Sequence, residues 1–228
     1  MILETQRQLD QANYSIRANN EFMHDVMIAA LGDRWDNHLE RLVSRREVGY
    51  WLNWLGLIGK GVEVGVFRGE FSAHLLNTWQ GNSLASIDPW MEFPTSEYND
   101  VCNLDQEGQD QNHEITVRLL ESFGGRSRII KNTSHGSNAD FADGTLDFVY
   151  LDAQHHYSAV KEDIEIWFPK IVEGGVLGGH DYLDGIISSG DYGVKSAVDE
   201  FAAARGFRVI VTNEPIYKSW FIRVQAAE

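Results

Sequence analysis

Two predicted strands of this chain end in acidic and imidazole side chains that could together bind a metal ion and move a proton. Asp152 and His155 follow the apolar run at residues 146–151, and His180 and Asp181 follow the next predicted strand. Neighbouring strands lie about 4.8 Å apart, so side chains at their ends can converge on one ion or substrate. Asp152 and Asp181 offer oxygen ligands that suit Mg²⁺ or a similar divalent ion, and His180 as a third ligand would suit a softer ion.

These side chains allow more than one catalytic arrangement. A divalent ion held by Asp152, His180 and Asp181 would lower the pKa of a substrate hydroxyl and fix its oxygen, and a general base would then remove the proton. Neutral imidazole is suited to that task near pH 7. In a metal-free alternative His180 is itself the base. In a structural alternative, Asp152 and His155 form a hydrogen-bonded pair that only shapes the loop.

A second set of residues predicts the binding of an adenosine-containing cofactor. The predicted strand at residues 62–66 contains Glu63 and Gly65, and Gly69 follows it; Asp88 lies at the end of the next predicted strand. Glycines let the backbone approach a ligand closely. An acid at the end of the second strand accepts hydrogen bonds from the ribose hydroxyls.

Glu63 indicates which cofactor the pattern favours. A nicotinamide-binding loop has the pattern G-x-G-x-x-G, whereas this chain has E-x-G-x-x-x-G, with Glu63 in place of the first glycine. A carboxylate there would face a pyrophosphate at close range, which is unfavourable. It suits S-adenosylmethionine (SAM), which has cationic sulfonium and amino groups and no phosphate. An NAD-dependent oxidoreductase is therefore disfavoured.

The ordered set of motifs resembles a known family. Residues 63–69, Asp88, residues 146–152 and residues 174–181 are similar to the motifs of class I SAM-dependent methyltransferases. The resemblance covers roughly residues 60–225. Within that family it is closest to small-molecule O-methyltransferases, including the macrolide-sugar enzymes of the macrocin type. The resemblance implies methyl transfer to a hydroxyl of a small molecule, such as a sugar, a glycosylated metabolite or a phenol.

The resemblance also assigns roles to single residues. It implies that Glu63 and Gly65 line the methionine end of SAM and that Asp88 binds the ribose. Ser134, in the loop after the third strand, would lie near the adenine edge. Trp90 would stack on or cover the adenine. Alternatively, its side chain would belong to a lid or to the core.

A base is implied in the same way. In related metal-dependent enzymes a basic residue three positions after the aspartate of the fourth strand removes the proton, and His155 holds that position relative to Asp152. The chain departs from a strictly acidic metal site at His180.

Alternating strands and helices must position these residues. The predicted strands lie at residues 62–66, 83–87, 128–131, 146–151, 175–178, 207–212 and 218–224, and the predicted helices at residues 71–79, 114–123, 159–171 and 194–204. This alternation predicts an α/β fold with a doubly wound, mostly parallel, Rossmann-like sheet of seven strands. The last two strands are predicted to pair as an antiparallel C-terminal hairpin. The helix at residues 114–123 has Ile115, Leu119 and Phe123 on one face. Residues 90–111 are predicted to be an irregular stretch over the cofactor end of the pocket, and the loop at residues 182–192 is predicted to contribute to acceptor specificity.

The sequence predicts an N-terminal helical cap at residues 1–60 and the SAM-binding methyltransferase domain at residues 61–228. Apolar positions in the cap recur at loosely helical spacing, as in Phe22, Val26 and Ala30. We expect the cap to have a packing role, to form the contact of a homo-oligomer, or to form one wall of a substrate pocket. Residues 47–58 are richer in Trp and Leu and are predicted to pack on the sheet.

Composition limits the classes of partner. The formal net charge is −15, so the surface repels phosphate backbones and anionic lipid, and we expect neither nucleic-acid nor membrane partners. The chain has a single cysteine, Cys102, which fits a reducing compartment. It has no signal-peptide pattern and no apolar run of about 18 residues, so a cytoplasmic location is expected.

A non-catalytic SAM-binding protein is the alternative from another functional class. A pocket without chemistry would not need Asp152, His155 and Asp181 together. The sequence therefore favours an enzyme, with SAM and a divalent metal such as Mg²⁺ as the expected cofactors.

Overall fold

Residues 42–224 are described by a computed structural model, and they alternate between strands and helices. The elements are α1 (Val48–Trp54), β1 (Lys60–Val64), α2 (Glu70–Thr78), β2 (Ser83–Asp88), α3 (Gln106–Leu120), β3 (Ser127–Lys131), α4 (Ser134–Ser137), β4 (Leu146–Leu151), α5 (Tyr157–Trp167), β5 (Ile171–Gly179), β6 (Asp184–Ile187), β7 (Gly190–Gly193), α6 (Val194–Arg205), β8 (Val209–Val211) and β9 (Trp220–Arg223).

Seven of the strands form one sheet in the order β3-β2-β1-β4-β5-β9-β8. The pairs among β1 to β5 are parallel, and β9 is antiparallel to both β5 and β8. The predicted doubly wound sheet and its antiparallel C-terminal pair are confirmed. The strand order reverses between β1 and β4, and this is the point at which open α/β sheets bind ligands.

Apolar side chains cover both faces of the sheet. On β4, Val149 belongs to one buried cluster, whereas Phe148 and Tyr150 belong to the other. Helices α5 and α6 add Ile164 and Val198, among others, to the first cluster. Helices α1 and α2 cover the opposite face. A central strand that is buried on both faces explains why residues 146–151 read as a continuous apolar run.

Part of the predicted N-terminal cap lies outside the described residues. Nothing in residues 42–224 bears on the predicted cap at residues 1–41 or on a homo-oligomer formed through it. The segment at residues 47–58 does pack on the sheet, as predicted. Trp51 of α1 is fully buried, and its ring centroid lies 5.7 Å from that of Phe221 on β9.

Helix α3 differs from the prediction in its start and in its buried face. It begins at Gln106, within the stretch predicted to be irregular, because Asp105 caps it by accepting a hydrogen bond from the Gly108 amide at 2.9 Å. Ile115 and Leu119 are exposed (37% and 39%). The buried face is instead mostly polar, and it consists of Gln109, Asn112, Thr116 and Leu120.

The predicted loop at residues 182–192 contains a second hairpin. Strands β6 and β7 pair antiparallel from Asp184↔Gly193 to Ile187↔Gly190. Asp100 forms an isolated bridge with Gly190, which ties this hairpin to the segment between β2 and α3. Among the helices of residues 42–224, none is both long and apolar enough to cross a membrane.

Candidate active site

A cavity of about 570 Å³ lies at the carboxyl ends of β1, β2, β4 and β5. This volume is within the range of small-molecule and cofactor sites. Residues predicted from the sequence line most of it, namely Glu63, Gly65, Asp88, Ser134, Asp152, His155, His180 and Asp181. Gly69 and Trp90 are not among its lining residues. The sheet topology therefore brings the predicted cofactor and reaction residues into one space.

Glu63 lies at the inner end of the cavity, with 1% of its surface exposed. Its carboxyl group accepts a hydrogen bond from the Ser72 hydroxyl, which in turn lies 2.7 Å from Ser86 Oγ. Burial raises the pKa of Glu63 to about 8, although the Ser72 hydrogen bond acts in the opposite direction. Without a bound cationic ligand the group is therefore mostly protonated at pH 7, and such a ligand would favour its ionised form.

Gly65 is required by a close approach of two strand ends. Its φ is +86°, a conformation that residues with a Cβ rarely adopt. A Cβ at this position would lie 2.0 Å from the carbonyl oxygen of Asp152. The glycine thus lets the turn after β1 pass directly over the start of the reaction loop.

Asp88 organises the turn after β1 as well as facing the cavity. Its Oδ2 accepts hydrogen bonds from the amides of Val66 and Phe67 at 2.8 and 3.0 Å, and its Oδ1 accepts one from the Trp90 amide at 2.8 Å. Burial raises the pKa of Asp88, and these three hydrogen bonds oppose that shift. A carboxylate has about four acceptor sites, so capacity remains for a ligand hydroxyl.

Trp90 and Gly69 lie near the cavity without lining it. The Trp90 side chain is fully buried, its Nε1 donates to the Phe67 carbonyl at 2.8 Å, and its ring centroid lies 4.6 Å from that of His113. The structure therefore matches the core-aromatic alternative for Trp90 rather than an adenine contact. Gly69, with φ of +78°, precedes α2, and its amide donates to the Val66 carbonyl at 2.9 Å.

Ser134 begins α4 and is held by two partners from α5. Its hydroxyl donates to Asp163, and it accepts a hydrogen bond from Trp167 Nε1 at 2.8 Å. Burial raises the pKa of Asp163 to about 6. Sequence reasoning missed Asp163, which also lines the cavity. The available signal was an acid within the apolar stripe of α5, between Val160 and Trp167.

The reaction residues converge in the same cavity, where β4 and β5 end. His155 Nε2 lies 3.1 Å from Asp181 Oδ2 and 3.8 Å from Asp152 Oδ1. His180 Nδ1 lies 3.1 Å from Asp181 Oδ1 and 3.8 Å from Asp152 Oδ1. Asp181 has a φ of +52°, an uncommon conformation for a residue with a side chain. The predicted convergence of the ends of β4 and β5 is thus present in the structure.

Three of these side chains lie close enough together to hold a metal ion. One ligand atom each from Asp152, His155 and Asp181 lies within 4.8 Å of the other two. His155 Nε2 is buried and faces the carboxylates of Asp152 and Asp181, but its geometry gives no well-formed hydrogen bond to either. The histidine in this group is His155, whereas the sequence predicts His180 as the third ligand. Two carboxylates and an imidazole fit a divalent cation.

His155 is enclosed by carboxylates, and one of them was missed by sequence reasoning. Its Nδ1 lies 3.0 Å from Asp100 Oδ2, and its ring stacks on Tyr192 at a centroid distance of 4.9 Å. Burial lowers the pKa of His155, but the hydrogen bond to Asp100 and the charges of Asp152 and Asp181 outweigh it and raise the pKa to about 10. In these surroundings the cation-free ring favours its protonated form, and a cation bound at Nε2 would have to displace that proton.

Arg45 is the third residue that sequence reasoning missed, after Asp163 and Asp100. Its Nη1 lies 3.2 Å from Asp152 Oδ2, and its guanidinium carbon lies 4.9 Å from the centroid of the Phe71 ring. No local pattern around Arg45 marked it, because it precedes the first strand in a segment that reads only as a helical cap. Its position depends on how this segment folds back over β1 and β4.

The family model of a methyltransferase domain matches residues 62–182, which is more than half of the chain. This chain belongs to that methyltransferase family. The matched segment begins within β1, extends through β5 and ends just after Asp181, so it includes the cavity residues from Glu63 to the reaction cluster. The resemblance found in the sequence is confirmed at this level.

Solved structures show the same fold for the methyltransferase. A methyltransferase from Geobacter sulfurreducens is 14% identical, with a TM-score of 0.53 and coverage of 87% of this chain and 88% of that chain. An O-methyltransferase from Bacillus cereus, in complex with SAH, is 13% identical, with a TM-score of 0.54 and coverage of 78% and 79%. An rRNA methylase from Streptococcus thermophilus is 14% identical, with a TM-score of 0.54 and coverage of 80% and 98%.

One of these neighbours is an rRNA methylase and another an O-methyltransferase, so the fold does not identify the acceptor of this methyltransferase. The comparison with curated proteins gives no match. The acceptor must therefore be argued from the cavity itself.

Proposed function

We propose that this methyltransferase transfers the methyl group of SAM to a hydroxyl of a small molecule, with the help of a divalent cation. The observation that carries the proposal is the continuity of one cavity from Glu63 and Asp88 to the cluster of Asp152 and Asp181. A methyl donor bound at the first end would therefore face an acceptor bound at the second. The proposed acceptor is a sugar, a glycosylated metabolite or a phenol.

The first end of the cavity fits SAM by its chemistry. SAM supplies an electrophilic methyl group on a sulfonium centre. Glu63 would bind the cationic amino group, and Asp88 has acceptor capacity left for the ribose hydroxyls. Ser134, fixed by Asp163 and Trp167, would lie beside the adenine. The described lining includes no cluster of lysines and arginines of the kind that a pyrophosphate would need.

At the second end, we assign the cation to Asp152, His155 and Asp181, whose ligand atoms lie within 4.8 Å of one another. When bound, a cation there supplies positive charge that favours the ionised form of an acceptor hydroxyl. His180, whose imidazole lines the cavity beside this group, would then accept the hydroxyl proton. This exchanges the two histidine roles that the sequence predicts, in which His180 is the ligand and His155 the base.

The charge of the protein supports a small acceptor. The formal net charge is −15, and carboxylates also dominate the cavity lining, through Glu70, Asp100 and Glu162 in addition to the site residues. RNA binding requires a positive surface, which this composition opposes. A neutral, hydroxylated acceptor is compatible with the same lining.

The first experiment is isothermal titration calorimetry with S-adenosylhomocysteine (SAH), the demethylated cofactor product. We expect 1:1 binding, and an absence of binding would contradict the proposed function. Transfer of radiolabelled methyl from SAM to a panel of sugars, glycosides and phenols then identifies the acceptor. Exhaustive treatment with EDTA should abolish transfer, and added Mg²⁺ or Mn²⁺ should restore it. Unchanged rates after EDTA would favour the metal-independent enzyme.

The histidine roles can be separated with matched variants. Mn²⁺ binding, followed by EPR, should weaken strongly in His155→Gln and remain near wild type in His180→Gln. Transfer should be lost in both, and in His180→Gln it should recover in part at high pH, where hydroxide replaces the base. His156→Gln is the control, since His156 is not among the lining residues. If Mn²⁺ binding instead weakened in His180→Gln and not in His155→Gln, His180 would be the metal ligand and His155 the base, as the sequence predicts.

A further inference from the structure

Arg45 is the only arginine or lysine among the described residues that line the cavity. Its Nη1 donates to Asp152 Oδ2 at 3.2 Å, and the plane of Phe71 lies beneath its guanidinium group at 4.9 Å. It also interacts electrostatically with Glu63, which marks the inner end of the cavity. An anionic group on any ligand bound at this end would find its single strong cation in Arg45.

The backbone around Arg45 is held from two sides. Glu214 Oε1, in the turn between β8 and β9, accepts hydrogen bonds from Ser44 Oγ at 2.8 Å and from the Arg45 amide at 3.2 Å. On the other side, the Arg46 carbonyl lies 2.8 Å from Nε2 of His74 on α2. A cation fixed in this way binds an anion without the entropic cost of ordering a free side chain.

The neighbours of Arg45 match one particular kind of ligand group. An α-amino acid carries an ammonium and a carboxylate on the same carbon atom, so its site needs an anion and a cation side by side. Glu63 and Arg45 are such a pair, and Asp152 adds a second anion. The guanidinium group has five N–H donors in a planar fork. Contacts with Asp152 and Tyr150 use only some of them.

We propose that Arg45 binds the carboxylate of the methionyl group of SAM and SAH. The inference rests on the proposed function, and it adds a cofactor-binding residue from outside the segment that carries the family motifs. Glu63 then meets the ammonium group and Arg45 the carboxylate of the same amino acid. The segment before β1 thereby becomes part of the cofactor site.

The test pairs a change in the protein with a change in the ligand. Calorimetry would compare SAH with decarboxylated SAH, which keeps the ammonium group but lacks the carboxylate. Wild type should bind decarboxylated SAH about 10- to 100-fold more weakly than SAH, as expected for loss of a charged hydrogen-bonded pair. Arg45→Gln should bind SAH more weakly by a similar factor, and it should bind the two ligands about equally. The affinity of Arg45→Lys for SAH should lie between those of wild type and Arg45→Gln.

Arg46→Gln is the matched control, because Arg46 is the next residue, is exposed and does not line the cavity. It should bind both ligands as wild type does. Binding of decarboxylated SAH by Arg45→Gln at the wild-type affinity shows that the variant is folded. If Arg45→Gln weakens both ligands equally, or binds SAH as tightly as wild type, the assignment of Arg45 is overturned while the proposed function stands. If wild type does not bind SAH, both the assignment of Arg45 and the proposed function are overturned.

Discussion

Asp100 and His155 are joined by a contact of 3.0 Å between Asp100 Oδ2 and His155 Nδ1, across 55 residues of sequence. The Asp100 side chain is nearly inaccessible, with 3% exposure, and its Oδ1 accepts a hydrogen bond from the Cys102 amide at 2.8 Å. Asp100 also bridges to Gly190 through its backbone. One residue thus connects the segment after β2, the loop after β4 and the β6–β7 hairpin.

The first prediction concerns the protonation of His155. Replacing Asp100→Asn removes a negative charge from Nδ1, so the pKa of His155 should fall from about 10 toward its ordinary range. The raised pKa stabilises the fold fully below about pH 6.5, and this stabilisation is lost as the pH rises through about 10. The variant should therefore lose less stability between these pH values. Imidazole NMR shifts and denaturant unfolding of EDTA-treated protein measure the two effects.

Asp110→Asn is the control for that experiment, since Asp110 is an exposed residue of α3 paired with Lys131. It should leave the His155 titration unchanged. An unaltered His155 titration in Asp100→Asn would show that Asp152 and Asp181 alone hold the proton.

The second prediction concerns Glu63. Its pKa of about 8 in the folded chain exceeds the ordinary value of 4.5, so stability should fall as the pH rises from about 4.5 to 8. The slope from this group is at most about 1.4 kcal/mol per pH unit. Glu63→Gln should remove this slope and be more stable than wild type above pH 7, yet bind SAH at least about 10-fold more weakly.

Calorimetry in buffers of different ionisation enthalpy adds a direct readout. Wild type should release a proton from Glu63 when the ammonium group of SAH binds near pH 7, and Glu63→Gln should not. Equal proton release in both proteins would remove Glu63 from the proposed ammonium site.

The third prediction concerns the turn after β1. Gly65→Ala places a Cβ at 2.0 Å from the Asp152 carbonyl oxygen and requires a φ of +86°. We expect a loss of about 3 kcal/mol or more in the free energy of unfolding. Gly144→Ala is the matched control, because Gly144 has a φ of +63° but nothing within 4 Å of its added Cβ. It should cost about 1 kcal/mol. Equal losses in urea unfolding would mean that strain alone, and not the approach of the Asp152 backbone, requires Gly65.

The fourth prediction concerns Asp152. Asp152→Asn keeps the shape of the side chain but removes the charge that faces His155, His180 and Arg45. Methyl transfer should fall by at least about 100-fold, because both cation binding and the electrostatics of the cluster depend on that charge. Circular dichroism should show an intact fold.

Asp143→Asn serves as its control, since Asp143 is exposed and pairs with Lys170 away from the cavity. It should transfer methyl groups at the wild-type rate. Full activity in Asp152→Asn would remove the proposed reaction centre.

The strands were the most predictable part of the fold. Residues 146–151 were predicted with the boundaries that β4 has, because a strand buried on both faces has an unbroken apolar sequence. Helix α3 was predicted less well. Its buried face is formed by Asn112 and Thr116, which bond to Arg68 and to the Phe67 carbonyl, so apolar periodicity gave the wrong face. The orientation of Trp90 was also not predictable, because the position of an aromatic residue near a ligand-binding loop does not show whether its ring faces the ligand or the core.

Local residue order was enough to predict the sheet, the cofactor-binding pattern and the convergence of Asp152 with Asp181, because strand ends and glycine turns depend on neighbouring residues. The folded chain was needed to show that His155 lies with Asp152 and Asp181 in the candidate metal site, and that Asp100 and Arg45 enter the site from distant segments. Asp100 and Arg45 could not be predicted because their contacts with His155 and Asp152 join groups 55 and 107 residues apart in sequence. Their geometry depends on how loops fold over the sheet edge, and no local pattern of residues encodes it.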